Sequence, residues 1–236
     1  MDSDVIPPQW FTLSEKLMWP LIGMSAAAAR ANAAAVSGLE PASELAFCHH
    51  AGCMEASIHI NRRGKHATAI CLIRQSIEAL TIGEIGLQHP GFARALLAEW
   101  KEGARSQGQL RRALEAEIWP SYGVGLWDEP WAVFYANLAR AVQSYAHYTP
   151  ELQGWQWCFV AHGESGRWIG KHGPETYDAI KASRITLFHA LLTWMLGRIL
   201  IASGKSADAL LLQREVKELG DALGRSKLLF ARGEWW

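Results

Sequence analysis

At 236 residues, half of them apolar, the chain is long enough to bury a large core, which excludes a disordered protein. Its 23 basic and 23 acidic residues cancel, so no overall field attracts nucleic acid or an anionic membrane, and such binding would need a local patch. Four cysteines are few for this length, and the acidic amino terminus lacks the basic start and apolar stretch of a signal peptide. We therefore expect a reduced, cytoplasmic protein.

The first predicted helix follows a short N-terminal extension over residues 1–10. Thr12 and Glu15 have the spacing of a capping box and predict that the helix begins there. The pattern continues through an alanine-rich stretch to about Gly38, and Pro20 is expected to kink or restart it.

The second and third predicted helices cover the chain from Pro41 to Leu87. Pro41 suits the first turn of a helix that ends near Gly64. The third helix, from residue 65, is apolar on every side, which predicts a buried element. Arg74 and Glu78 lie one turn apart on it among small neighbours. They are either a structural ion pair that fixes the helix register or a pair that orients a catalytic or ligand-binding group on a neighbouring helix.

A charged pattern over residues 92–119 predicts the most solvent-exposed of the long helices. The segment 120–130 contains proline and glycine and is predicted as a loop. Pro130 then begins a helix that is expected to hold both Arg140 and His147.

The stretch 149–174 is predicted to be one long irregular loop with a short extended piece at 155–162, and so is either functional or misassigned. A long helix is expected from Pro174 to Gly204. Its apolar run from Ile185 is interrupted by two polar residues, His189 and Arg198, which favours a buried core helix over a membrane span. Ser206 caps a last helix, and residues 226–236 form a tail.

Together these patterns predict a single all-α domain over residues 1–236. We expect a bundle of six or seven helices, with the helix over 65–87 and the long helix from Pro174 at its core. The twelve tryptophans indicate large flat contact surfaces, either inside the subunit or between subunits. No membrane contact is expected, and no DNA-binding feature is evident.

Arg140, Ser144 and His147 form the first candidate site. A step of seven residues is nearly two helical turns, so a continuous helix would carry these side chains on one polar stripe. A histidine can move a proton near neutral pH, and an arginine can neutralise charge that develops on a phosphate. The alternative is an ordinary solvated helix face, which periodicity alone favours.

Two further clusters contain residue types that are common in binding or catalytic sites. Arg167, Lys171 and His172 lie in a glycine-rich segment that could offer basic groups to an anion or serve in catalysis, although an ordinary loop is the alternative. The string "FCHHAGC" holds four metal-ligand residue types, but on a helix only His49 and Cys53 share a face. We therefore expect no metal site and no cofactor.

Two segments together resemble a known group of proteins. The helix "AICLIRQSIEAL", followed roughly 60 residues later by "SYAHYTP", resembles uncharacterised bacterial members of the HEPN-like helical superfamily, including relatives near abortive-infection proteins. Its ribonuclease members carry an arginine, four to six residues and a histidine. Arg140 and His147 match with six between, and Arg167 and His172 match with four, although Ala141 stands where a polar residue commonly follows the arginine.

The resemblance implies an all-α bundle, often a homodimer in which two such motifs face each other. For the active members it also implies RNA cleavage without a metal. In this interpretation His147 is a general acid or base, Arg140 stabilises the phosphate, and Arg74 with Glu78 organises the site from behind. The protein would then act in defence against viruses or in stress, as a toxin-like endoribonuclease.

Two alternatives come from other functional classes. The chain could be a non-catalytic binding or assembly protein, in which the tryptophans and the "GEWW" terminus form a surface for a protein partner or a second copy. It could also be a small-ligand sensor with a pocket lined by Arg74, Glu78 and tryptophan side chains.

Overall fold

The computed structural model of the chain shows an all-α protein, as predicted. Its described residues are 7–34, 41–145, 147, 149–162, 167–172 and 177–226, with the backbone alone over the two strands. These residues form ten α-helices and one pair of antiparallel strands, so the described part of the bundle has more helices than the six or seven expected. In chain order they are α1 (Gln9–Ala34), α2 (Ala42–Arg62), α3 (His66–Gly86), α4 (Pro90–Lys101), α5 (Gln107–Glu117), α6 (Trp131–Gln143), α7 (Pro150–Trp155), β1 (Trp157–His162), β2 (Arg167–His172), α8 (Ala179–Ser203), α9 (Ala207–Leu211) and α10 (Gln213–Gly224).

Helices α3 and α8 are the most buried elements, as their apolar sequences predicted. Two thirds of the residues of α3 and three fifths of those of α8 are buried, and in α8 they form a nearly continuous run from Leu187 to Leu200. Asp178 caps α8 by accepting hydrogen bonds from two backbone N–H groups, and Gly204 ends it in the left-handed conformation. Within the described residues α8 is the one helix long and apolar enough to span a membrane, but 78% of its most apolar window is buried in the bundle.

Helix α1 differs from the prediction at its start. It begins at Gln9, before Thr12 and Glu15, so these two residues do not form its capping box and the predicted extension over 1–10 is too long. Pro20 lies inside the helix and does not end it. Because Pro20 and Lys16 are exposed, the carbonyl of Lys16, which loses its helical hydrogen bond, can be satisfied by water. The predicted end near residue 38 lies outside the described residues.

The single charged helix predicted over 92–119 is wrong, because the chain divides there into α4 and α5. Gly103 has a φ of 73°, a left-handed conformation that interrupts a helix. Ser106 then starts α5 with a capping box, in which Gln109 accepts the Ser106 backbone N–H at 2.7 Å. The charged composition remains exposed on both helices, with Leu110 and Leu114 as the buried contacts of α5.

The irregular loop predicted over 149–174 is also wrong. Thr149 caps α7 by accepting the backbone N–H of Leu152 at 3.2 Å, with Pro150 in the first turn. The expected extended piece is confirmed as strand β1, which pairs antiparallel with β2. The predicted 120–130 loop contains two 3₁₀ turns, and α6 follows Pro130 as predicted.

Much of the tryptophan content is used inside the subunit. Trp131 and Trp194 are buried beside one another, with ring centroids 5.7 Å apart. The Arg198 guanidinium lies over both rings, at 5.4 and 5.3 Å from their centroids, and donates to the carbonyl of Tyr122 at 2.7 Å. Burial lowers the pKa of Arg198, and the two π faces and the carbonyl compensate for the lost water. This cluster joins α6 and α8 to the turn that precedes α6.

Candidate functional site

The end of α6 carries the first candidate site, but not in the predicted geometry. The helix ends at Gln143 with Ser144 as its C-cap, so His147 lies beyond the helix. The prediction that Arg140, Ser144 and His147 share one helical stripe is therefore wrong. The Thr149 hydroxyl donates to the Ser144 carbonyl at 2.6 Å and ties the start of α7 to the C-cap of α6. His147 lies between these two residues in the chain, and it and Arg140 are both exposed.

Tyr145 links the segment after α6 to α7. It is buried, and its ring packs edge-on against Trp155, with centroids 5.5 Å apart. The Trp155 indole N–H donates to the Tyr145 hydroxyl at 3.1 Å. Tyr145 therefore faces the interior, and the exposed His147 is two residues from this aromatic contact.

Arg74 and Glu78 form the ion pair that their spacing predicted. Arg74 Nε lies 2.9 Å from Glu78 Oε1. The two side chains keep 20% and 39% of their exposure, so the pair lines the surface instead of the closed core. Arg74 Nη1 also donates to Gln143 Oε1 and links α3 to the last residue of α6. The pair therefore contacts the last residue of the helix that carries Arg140, and both expected roles, a structural ion pair and a positioning pair, fit this contact.

The surroundings of Arg140 are polar and open. Its guanidinium donates to Asn137 Oδ1 at 3.4 Å, and Asn137 in turn donates to Glu129 Oε2 at 3.4 Å. These long contacts leave the Arg140 donors available to an anion from solvent. The Arg140 guanidinium can neutralise a phosphate from solvent, and the exposed His147 lies four residues beyond the end of α6.

The second candidate cluster lies on a strand instead of a glycine-rich loop. Arg167 opens β2 opposite His162, and His172 closes it opposite Trp157. Five strand steps separate the α-carbons of Arg167 and His172 by about 16 Å. Lys171, next to the end of β2, pairs with Cys158. The predicted loop with converging basic residues is therefore wrong.

The metal-like string behaves as its helical geometry predicted. Cys53 Sγ lies 3.5 Å from His49 Nε2, whereas Cys48 is exposed and His50 is completely buried. Among the described residues no three histidine, cysteine, aspartate or glutamate side chains are grouped for a metal ion. Burial raises the pKa of the Cys53 thiol, which keeps it protonated.

Sequence patterns missed a set of buried titratable residues. His50 pairs with the Ser76 hydroxyl at 2.6 Å, and His189 pairs with Ser57 at 2.9 Å. Burial lowers the pKa of His50 to about 4 and that of His189, beside His50, to about 3. Both rings are therefore neutral at pH 7. In the sequence, each of these histidines stands in a helical segment with apolar residues. That pattern indicates burial, but it does not identify the serine to which each histidine bonds.

Glu84 is the second buried group that patterns missed. It is completely buried on α3 and accepts the Trp119 indole N–H at 2.8 Å. Burial raises its pKa to about 7, although hydrogen bonds from Trp119 and Tyr122 act in the opposite direction. An acidic residue on an apolar helix was the only sign of it in the sequence.

Two grooves of similar size open on the bundle. One, of about 720 Å³, lies between α2, α3, α4 and the start of α5, and Glu78, His49 and Trp100 are in its wall. The other, of about 730 Å³, lies between α1, α2 and α8 and reaches the buried His189. Arg74 does not line the first groove, so the predicted sensor pocket retains only Glu78 of the ion pair, together with a tryptophan.

Comparison with protein-family models, curated proteins and solved structures found no match to this chain. The HEPN-like resemblance therefore remains a prediction from the two sequence segments.

Proposed function

We propose that the protein is a HEPN-like bacterial defence or stress protein that cleaves RNA in the cytoplasm without a metal ion. The observation that supports this function is the link from Glu78 through Arg74 to Gln143. It holds the end of α6 from the bundle side, while Arg140 and His147 remain exposed to solvent. A substrate as large as RNA needs such an open site.

In this mechanism His147 takes the proton of a ribose 2′-hydroxyl as that oxygen attacks the neighbouring phosphorus. The bond from phosphorus to the 5′-oxygen breaks, and the leaving oxygen takes a proton from water. Arg140 stabilises the negative charge on the phosphoryl oxygens, and Ser144 contacts the same phosphate. A homodimer brings two α6 ends together on one RNA strand, which adds to the affinity of each.

The test uses four variants of the full chain incubated with total RNA, with and without a chelator. His147→Ala and Arg140→Ala should each reduce the cleavage rate about a hundredfold or more, because general acid–base catalysis by His147 and electrostatic stabilisation by Arg140 each contribute about that much. His59→Ala on α2 and Arg63→Ala at the C-cap of that helix are matched controls, since both side chains are exposed. Circular dichroism should show unchanged helix content in all four.

Two results would contradict this function. Undiminished cleavage by His147→Ala would remove His147 from the chemistry. Cleavage that stops on addition of the chelator would replace the proposed mechanism with a metal-dependent one.

A non-catalytic binding or assembly protein is the second candidate. It is favoured by the exposed Trp19, which retains 46% of its accessible surface at the rim of the groove between α1, α2 and α8. A protein partner or a second copy that covers this surface would bury its aromatic area. Comparison of the solution mass of the full chain with that of Trp19→Ala and of a chain lacking "GEWW" tests it. A monomer in all three would count against self-association.

A further inference from the structure

The groove between α1, α2 and α8 has aromatic walls. Trp10 and Phe11 meet at 83° with ring centroids 6.2 Å apart, and Trp19 and Tyr177 line the same groove. Trp19 and Tyr177 keep 46% and 57% of their exposure, so the rim is open. The volume of about 730 Å³ lies within the range of small-molecule sites.

His189, in the wall of this groove, has a defined tautomer. The Ser57 hydroxyl donates its only proton to the Ala69 carbonyl at 3.0 Å. The contact of 2.9 Å between Ser57 Oγ and His189 Nε2 must therefore be donated by the histidine. Because burial holds the pKa of His189 at about 3, the ring is neutral at pH 7 and carries that single proton. Nδ1 is then an acceptor, and no donor among the described residues bonds to it.

The other polar groups of the groove are mostly engaged or also accept. Ser14 donates to Thr193 Oγ1 at 3.4 Å, and Thr193 donates to the His189 carbonyl, so the Ser14 oxygen keeps its lone pairs. The Asn61 amide donates to the Ala182 carbonyl at 3.1 Å and accepts from His66. The wall therefore offers acceptors to a ligand.

The charges at the groove largely cancel. Glu15 and Arg62 both line it and form an exposed ion pair with 3.8 Å between Oε1 and Nη2. A charged ligand would meet both signs together, so a neutral ligand fits better. The other groove, by contrast, holds two acidic residues, Glu78 and Glu102, and two basic residues, Arg94 and Lys101, so it carries more charged side chains.

We propose that the groove between α1, α2 and α8 binds a small, uncharged, planar aromatic molecule that carries an N–H or O–H group. The ring packs against the aromatic walls at Trp10 and Trp19. Its N–H or O–H donates to His189 Nδ1, the acceptor without a protein donor. This site is separate from the α6 end and does not depend on RNA cleavage.

The experiment measures binding of two probes to the full chain by ligand-observed NMR. Indole has the aromatic ring and the N–H donor, and 1-methylindole has the same ring with the donor blocked. We expect saturable indole binding, with 1-methylindole about tenfold weaker because one hydrogen bond to a buried acceptor is lost. Equal binding of the two probes, or no saturable indole binding, would overturn the proposal.

Two exposed-residue variants locate the site without disturbing the core. Trp19→Ala should weaken indole binding about fivefold through the loss of stacking area. Leu45→Ala, which alters the wall of the other groove at a 61% exposed residue, should leave it unchanged. The reverse pattern would assign indole to the other groove and refute this one.

Discussion

Replacement of Glu84 by glutamine should remove a pH dependence from the stability of the protein. The carboxyl is completely buried, and Oε2 has no hydrogen-bond partner among the described residues, so the charged form is unfavourable in the folded state. Its pKa is raised from 4.5 to about 7. This difference corresponds to about 3 kcal/mol between the protonated and the ionised form.

The sign follows from the order in which the two states lose the proton. Below pH 4.5 Glu84 is protonated in both the folded and the unfolded chain, so its ionisation does not lower the free energy of unfolding there. Between pH 4.5 and 7 the unfolded chain ionises while the folded chain stays protonated, so stability falls as pH rises. Above pH 7 the folded chain ionises as well, and the loss levels off at about 3 kcal/mol.

The assay is urea unfolding followed by circular dichroism from pH 4.5 to 8. Glu84→Gln keeps an oxygen for the Trp119 indole but does not ionise. The unfolding free energy of the wild type minus that of the variant should therefore fall by about 3 kcal/mol across this range. Because the buried histidines contribute equally to the wild type and the variant, their pH dependence cancels in this difference of unfolding free energies. Glu115→Gln, at an exposed residue of α5, is the matched control. A difference that is constant with pH would refute the reasoning.

Two further predictions concern packing and acid stability. Gly83→Ala should lower the unfolding free energy by about 1–3 kcal/mol, because the added Cβ would lie 2.7 Å from the Phe47 ring, whereas Gly52→Ala, with open space around its Cβ, should be neutral or gain up to about 1 kcal/mol in the same urea titration. Equal effects would contradict close packing of α2 on α3. In the Glu84→Gln background, stability should fall as pH drops from 6.5 to 4, because the unfolded chain protonates His50 and His189 while burial holds their folded pKa values at about 4 and about 3. The loss should be about 3 kcal/mol for each ring, and a flat profile would disprove their burial as neutral groups.

The fold was predictable where the apolar composition of a single segment indicates that the segment is buried. Helix α3 is apolar all round and α8 nearly so, and both are buried as expected. Their ends also carry local signals, such as Gly204 in the left-handed conformation after α8. Such features depend on neighbours within one or two turns, which a sequence displays directly.

The errors arose where a distant or backbone-specific interaction decides the structure. The charged stretch across α4 and α5 has helical periodicity, yet Gly103 adopts a positive φ and Ser106 restarts the helix. Strand β1 pairs with β2 in a specific antiparallel register. The glycine-rich composition of this part of the sequence does not indicate which residues pair across the strands. Hydrophobic periodicity predicts which face of a helix is buried, but it does not predict the residue at which the helix ends.

The buried polar groups show the same limit for function. His189 and its partner Ser57 are 132 residues apart, so neither the pairing nor the tautomer can be predicted from local pattern. At the α6 end, the helix stops at Gln143, and the Thr149 hydroxyl bonds to the Ser144 carbonyl across the segment that contains His147. The resemblance identified the residue types of the candidate site, but helical periodicity could not show where α6 ends. An RNA-cleaving role for His147 therefore depends on the segment between α6 and α7, and not on a helical stripe.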